Sequence, residues 1–164
     1  MRRWLAGLVV AGVLLAPSSA GALTLRVRHD ADDTGSVLDI ERVITGLSQK
    51  RALFGFATFG SFTIQDIEDG GRFQVNLDTK QLDHDDFRLY FIYWLATDEL
   101  LCRLQTDHGL TIGERPVTFD GTSMSCGIPK WWLDIREPVE FTVEAYDTNR
   151  RVDVAPDEGR YRGL

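Results

Sequence analysis

Cysteine is nearly absent from this chain, with 2 in 164 residues. Cys102 and Cys126 have neither a C-x-x-C spacing nor a nearby histidine pair, which argues against a zinc site built on them. The three histidines, His29, His84 and His108, share no metal-ligand spacing, so zinc and copper find no motif. Positive charge is also in deficit. Eighteen Lys and Arg face 25 Asp and Glu, for a net charge of −7. That balance argues against nucleic acid or anionic lipid as a partner, since both require a basic face. Past residue 22 there is no hydrophobic run of ~20 residues, the length a membrane-spanning helix needs. Internal repeats, low-complexity tracts and interdomain linkers are missing as well. Gly121–Gly127 is rich in small residues but lacks the G-x-S-x-G elbow of serine hydrolases, and reads as a loop shaped by a disulfide.

The first 22 residues have the organisation of an export signal. Arg2 and Arg3 open it, Trp4 to Ala16 form a short apolar run, and Ala20-Gly21-Ala22 is an A-x-A cleavage site. The expected mature chain is 23–164, a single exported domain with no membrane span left. Its 142 residues carry 16 basic against 25 acidic side chains, a net −9, and are enough for one substantial core. An even cysteine pair in an oxidising compartment predicts one structural disulfide, Cys102–Cys126. Closing that loop contributes roughly 3 kcal/mol on the chain-entropy account.

Period-two patterning predicts an all-β domain. Phe73, Val75 and Leu77 alternate with polar residues, as do Val139, Phe141, Val143 and Ala145. Further strands are expected around Leu25 and Val27, over Ala52–Phe59, and at Leu100–Gln105, Leu110–Ile112 and Val117–Phe119. Phe87–Leu95 is rich in β-formers at both parities, which predicts a strand buried on both sides. Helical signals are confined to Thr63–Asp69, where Thr63 and Asp66 form a capping pair, and to a short turn within Ile128–Ile135. Strands at ~8–12-residue spacing predict an antiparallel β-sandwich, jelly-roll-like, with one or two short helical turns.

The densest polar segment is His29-Asp30-Ala31-Asp32-Asp33-Thr34-Gly35-Ser36, followed by Asp39 between Leu38 and Ile40. Three aspartates within four residues repel one another unless they face water or share a cation. Carboxylates on a glycine-containing loop suit Ca²⁺, which takes six to eight oxygens. The same cluster also suits a solvated turn whose charges discourage edge pairing. A second acidic turn, Val152 to Gly159, lies near the end of the chain. If first and last strands are neighbours, Asp153 or Asp157 completes a site begun by Asp30, Asp32, Asp33 and Asp39.

The run Asp30 to Val43 resembles the opening of an uncharacterised family of secreted bacterial β-sandwich domains, D-x-x-D-x-x-x-x-x-D-I-x-x-V. Such domains continue with an aromatic-then-helical segment, an F-x-V-x-L-D strand and a closing D-x-x-P-x-x-G. Phe62–Ile67, Phe73–Asp78 and Asp153–Gly159 follow that order here. The layout is more remotely similar to jelly-roll carbohydrate-binding modules and DOMON-type domains. The resemblance implies a fold and a structural Ca²⁺, with no established reaction.

Two other functional readings stand beside a non-catalytic, Ca²⁺-stabilised module that binds an extracellular glycan or protein. Trp131 and Trp132, adjacent on an extended segment, point to opposite faces. An exposed indole stacks on a sugar ring, although both rings can equally plug the ends of the sandwich. Phe59, Phe62, Tyr90 and Tyr93 extend such a platform if they face outward. A small hydrolase using an acidic pair is the third reading, with Asp83-His84-Asp85-Asp86 as the candidate segment. A hydrophilic loop between two strands accounts for the same residues.

Overall fold

The computed structural model describes residues 23–81, 84–135 and 138–163. The export signal expected over 1–22, and Asp83, therefore lie outside the described residues. No helix among the described residues is long and apolar enough to cross a membrane.

Two antiparallel sheets pack as a sandwich. The first contains β1 (Thr24–His29), β2 (Ile40–Leu47), β3 (Arg51–Thr58), β8 (Thr118–Phe119) and β9 (Ser123–Pro129), in the order β1-β2-β3-β9-β8. The second contains β4 (Arg72–Asp78), β5 (Phe87–Trp94), β6 (Glu99–Thr106), β7 (Thr111–Pro116), β10 (Glu140–Asp147) and β11 (Arg150–Ala155). Its order is β11-β10-β4-β5-β6-β7, and β12 (Tyr161–Arg162) also pairs with β10. Helix α1 (Ile64–Glu68) and a 3-10 turn at Lys130–Trp132 complete the fold. Strands β3 and β9, and β4 and β10, pair across long stretches of sequence, so the chain wraps around the core.

Inward positions of the alternating strands build that core. Phe54 and Phe56 of β3 meet Phe73 of β4, Phe91 of β5 and Phe141 of β10, all fully buried. The Phe56 ring stacks on Phe73 at 3.8 Å and meets Phe91 edge-on at 5.2 Å. Each such side chain contributes about 1.5–3 kcal/mol by leaving water. Phe62 closes one end against Phe73 and Phe119. The disulfide joins Cys102 of β6 to Cys126 of β9 across the two sheets, Cα to Cα 6.3 Å. The α1 capping box forms as the Thr63–Asp66 spacing requires, with the Thr63 N–H donating to Asp66 at 2.6 Å.

Three expectations are corrected. Strand β5 is buried on one face only, because Arg88, Tyr90 and Ile92 alternate with buried Phe87, Leu89 and Phe91. Gly121–Gly127 is not a loop throughout, since β9 starts at Ser123 and sits inside the first sheet. Its outward residues are Ser and Gly, and its inward ones are Met124, Cys126 and Ile128. Among the aromatics, Phe62 is buried and cannot serve an outer platform.

Candidate metal centre

Both ends of the described chain meet at one edge of the sandwich. Arg28 of β1 reaches across to the backbone carbonyls of Arg162 and Gly163, at 2.6 and 3.1 Å. Its guanidinium lies over the Phe141 and Tyr161 rings, 5.3 and 5.2 Å from their centroids. In the other direction, Asp153 of β11 accepts a hydrogen bond from the Ile40 N–H of β2 at 2.6 Å. These ties place the β1–β2 loop beside the turn that follows β11.

Within that junction the carboxylates converge. Asp30, Asp153 and Asp157 each offer an oxygen within 4.8 Å of the others, and so do Asp33, Asp39 and Asp153. Asp153 belongs to both groups and is the hinge of a five-carboxylate cluster. Asp32 belongs to neither group, so the structure leaves it out of the set expected from the sequence. None of the five is ion-paired with Lys or Arg among the described residues.

Local hydrogen bonding fixes the geometry. Asp39 is 1 % exposed, and its Oδ2 accepts from the N–H groups of Thr34 and Gly35 at 3.1 and 3.2 Å. Gly35 takes φ +63°, a left-handed turn that glycine adopts without steric cost. The loop thus folds back onto its own aspartate. Asp39 Oδ1 remains buried with no hydrogen-bond partner, and so does Asp30 Oδ2. Asp153, 5 % exposed, accepts from Ile40 through Oδ2 and from Val154 at 2.7 Å through Oδ1. Each of those oxygens keeps a second lone pair.

The electrostatics follow from crowding. Burial, then the Asp157 and Asp153 carboxylates, push the Asp30 carboxyl up to about 7. Desolvation and Asp157 raise Asp33. Burial also raises Asp153, against the pull of its two backbone hydrogen bonds. Tyr161, whose buried hydroxyl has no partner, is pushed up to about 12 by burial and by Asp30. A buried, partnerless carboxylate oxygen is costly, and a cation would relieve that cost. Carboxylate oxygens gathered this closely can share one cation.

The other candidate residues are placed as follows. Trp131 is 77 % exposed and Trp132 is 9 % exposed, so the pair diverges, from a 3-10 turn instead of an extended segment. Trp132 packs onto Gly113, where an added Cβ would fall 2.6 Å from its Cζ2. The Arg115 guanidinium lies over the same ring at 4.7 Å. In the β4–β5 loop, Asp85 pairs with Arg160 at 2.7 Å. Asp86 accepts from the Thr79 N–H and hydroxyl at 2.8 and 2.6 Å, so both carboxylates hold the turn. Sequence reasoning missed Tyr161 and the Thr34 and Gly35 amides, none of which carries a local signal. Set against family models, curated proteins and solved structures, the chain matches none of them.

Proposed function

We propose that this protein is a secreted, non-catalytic β-sandwich module whose terminal junction is held by one structural Ca²⁺. Asp30, Asp33, Asp39, Asp153 and Asp157 would supply the carboxylate oxygens, and water would complete the six to eight that the ion takes. One observation carries the reading: Asp39 Oδ1 and Asp30 Oδ2 are buried and partnerless, and each residue is grouped with two further carboxylates, Asp153 being common to both groups. A loop meant only for solvent would turn such oxygens outward. The ion would neutralise the cluster and tie the β1–β2 loop to the turn after β11, a role in stability and not in chemistry.

Thermal unfolding in millimolar Ca²⁺ and in chelator tests this. At free ion 100-fold above Kd the folded state gains ~2.7 kcal/mol. Equal melting temperatures in the two conditions would dismiss the metal.

A second reading concerns the bound partner. Trp131 presents its indole almost entirely to solvent, while Trp132 holds it edge-to-face, with ring centroids 6.0 Å apart and planes at 87°. An apolar ring fixed in orientation and left open suits the CH face of a sugar. We infer glycan binding at Trp131, with Trp132 as its support. Titration calorimetry against a panel of oligosaccharides checks it, and silence across the panel removes it.

A further inference from the structure

Trp131 does not stand alone on its surface. It borders an open groove of about 620 Å³, lined also by Gln49, Lys50, Lys130, Asp134 and Ile135. That volume is in the range of small-molecule sites, about 300–1,000 Å³. The two lysines come from separate elements and are brought together by the backbone. Lys130 opens the 3-10 turn, and its N–H donates to the Lys50 carbonyl just before β3, at 2.9 Å. Ile135 borders a second hollow as well, which carries Arg26 and Arg162, the latter paired with Glu140 at 2.8 Å. A chain of net charge −7 thus places cations beside its exposed indole.

We propose that this groove binds an acidic glycan. One sugar ring lies on the Trp131 indole, and its carboxylate pairs with the ammonium groups of Lys50 and Lys130. The proposal rests on the glycan reading above and adds the charge of the ligand. Asp134 is the one acid among the described lining residues, and the two ammonium groups outnumber it, so the lining favours an anionic ligand over a cationic one. Exposed ion pairs to two lysines are together worth from about twofold to roughly thirtyfold in affinity. Ring stacking on the indole supplies the part that charge alone cannot.

The test compares three hexamers by calorimetry on the full mature chain: oligogalacturonate, a neutral glucan and polyglutamate. The expected result is oligogalacturonate binding roughly tenfold tighter than the glucan, with polyglutamate weaker still. Trp131→Ala should lose roughly five- to tenfold, and the double variant Lys50→Gln/Lys130→Gln should bring the acidic hexamer down to the neutral one. All three side chains are at the surface, so unchanged melting temperatures verify folding. Equal binding of glucan and oligogalacturonate overturns the acidic specificity and leaves the glycan reading standing. Binding of polyglutamate as tight as the acidic sugar overturns the proposal in favour of simple charge attraction. No binding of either sugar overturns both readings.

Discussion

The Asp153 carboxylate accepts the backbone N–H of Ile40 at 2.6 Å, across 113 residues of sequence. This bond does two things at once. It satisfies the first amide of β2, and it carries a negative charge from β11 into the acidic loop that precedes β2.

Separating those roles gives the first prediction. Asp153→Asn keeps an oxygen for the Ile40 amide but removes the charge, so the Ca²⁺-dependent rise in melting temperature should fall by at least half. Asp153→Ala loses the acceptor too and should cost a further ~1–3 kcal/mol in chelator. Urea unfolding with and without Ca²⁺ reads both effects. A full Ca²⁺ response in the Asn variant would move the site elsewhere.

The pH dependence has a definite sign. Asp30 is raised from 3.8 to about 7 in the folded chain, so folding favours its protonated form. In chelator that contribution is complete below about pH 4 and is lost as pH rises through 7. Asp153 shifts in the same direction. The melting temperature in chelator should therefore drop between pH 4.5 and 7.5, while the increment from Ca²⁺ grows over the same interval. A flat chelator profile would contradict this.

Glu144 behaves oppositely. Burial raises it, but hydrogen bonds from Asn76, Tyr146 and Arg151 outweigh burial and hold it below 4.5. Its contribution is present above the unfolded value and is lost as pH falls past it. Glu144→Gln should flatten the acid limb of the stability curve without altering the Ca²⁺ response, as pH titration of the variant would show.

Removing the disulfide by Cys102→Ala with Cys126→Ala should cost roughly 3 kcal/mol from the loop closed over a separation of 24 residues. Guanidinium unfolding measures it. The Ca²⁺ increment should persist, because neither cysteine touches the acidic junction.

Gly113→Ala drives a methyl group into the Trp132 ring, which Arg115 covers from the strand's end. A cost of ~1–3 kcal/mol is expected, with a changed near-ultraviolet dichroism. The same variant should weaken glycan binding, since Trp131 leans on Trp132.

Much of the sandwich is visible in the amino-acid pattern, wherever large inward residues alternate with charged outward ones. Strands β4 and β10 are of this kind, and so is the Thr63–Asp66 cap. Strand β2 escaped because Ile44 is apolar on the outward side and a bulge between Ile40 and Arg42 breaks the alternation. Strand β9 escaped because Ser123, Ser125 and Gly127 look like a turn, although Met124, Cys126 and Ile128 keep the inward period. At the acidic junction, residue type singled out the two segments whose carboxylates come together. Which aspartate joins the cluster depends on the path of the loop, set by Gly35 and the Asp39 acceptor bonds, and this separates Asp33 from Asp32, although both are exposed. Lys50 and Lys130 carry no signal in the linear order, because only the β3–β9 pairing makes them neighbours.

The covalent bridge lies between β6 and β9, whereas the carboxylates sit on β11 and on the segments flanking β1 and β2. With the proposed ion bound at the carboxylates, two fasteners of different chemistry would guard different portions of one molecule. Loss of calcium in an oxidising medium would unlatch the outermost strands and spare the interior ones. A reductant in calcium-rich medium would slacken the interior while the rim stays clasped.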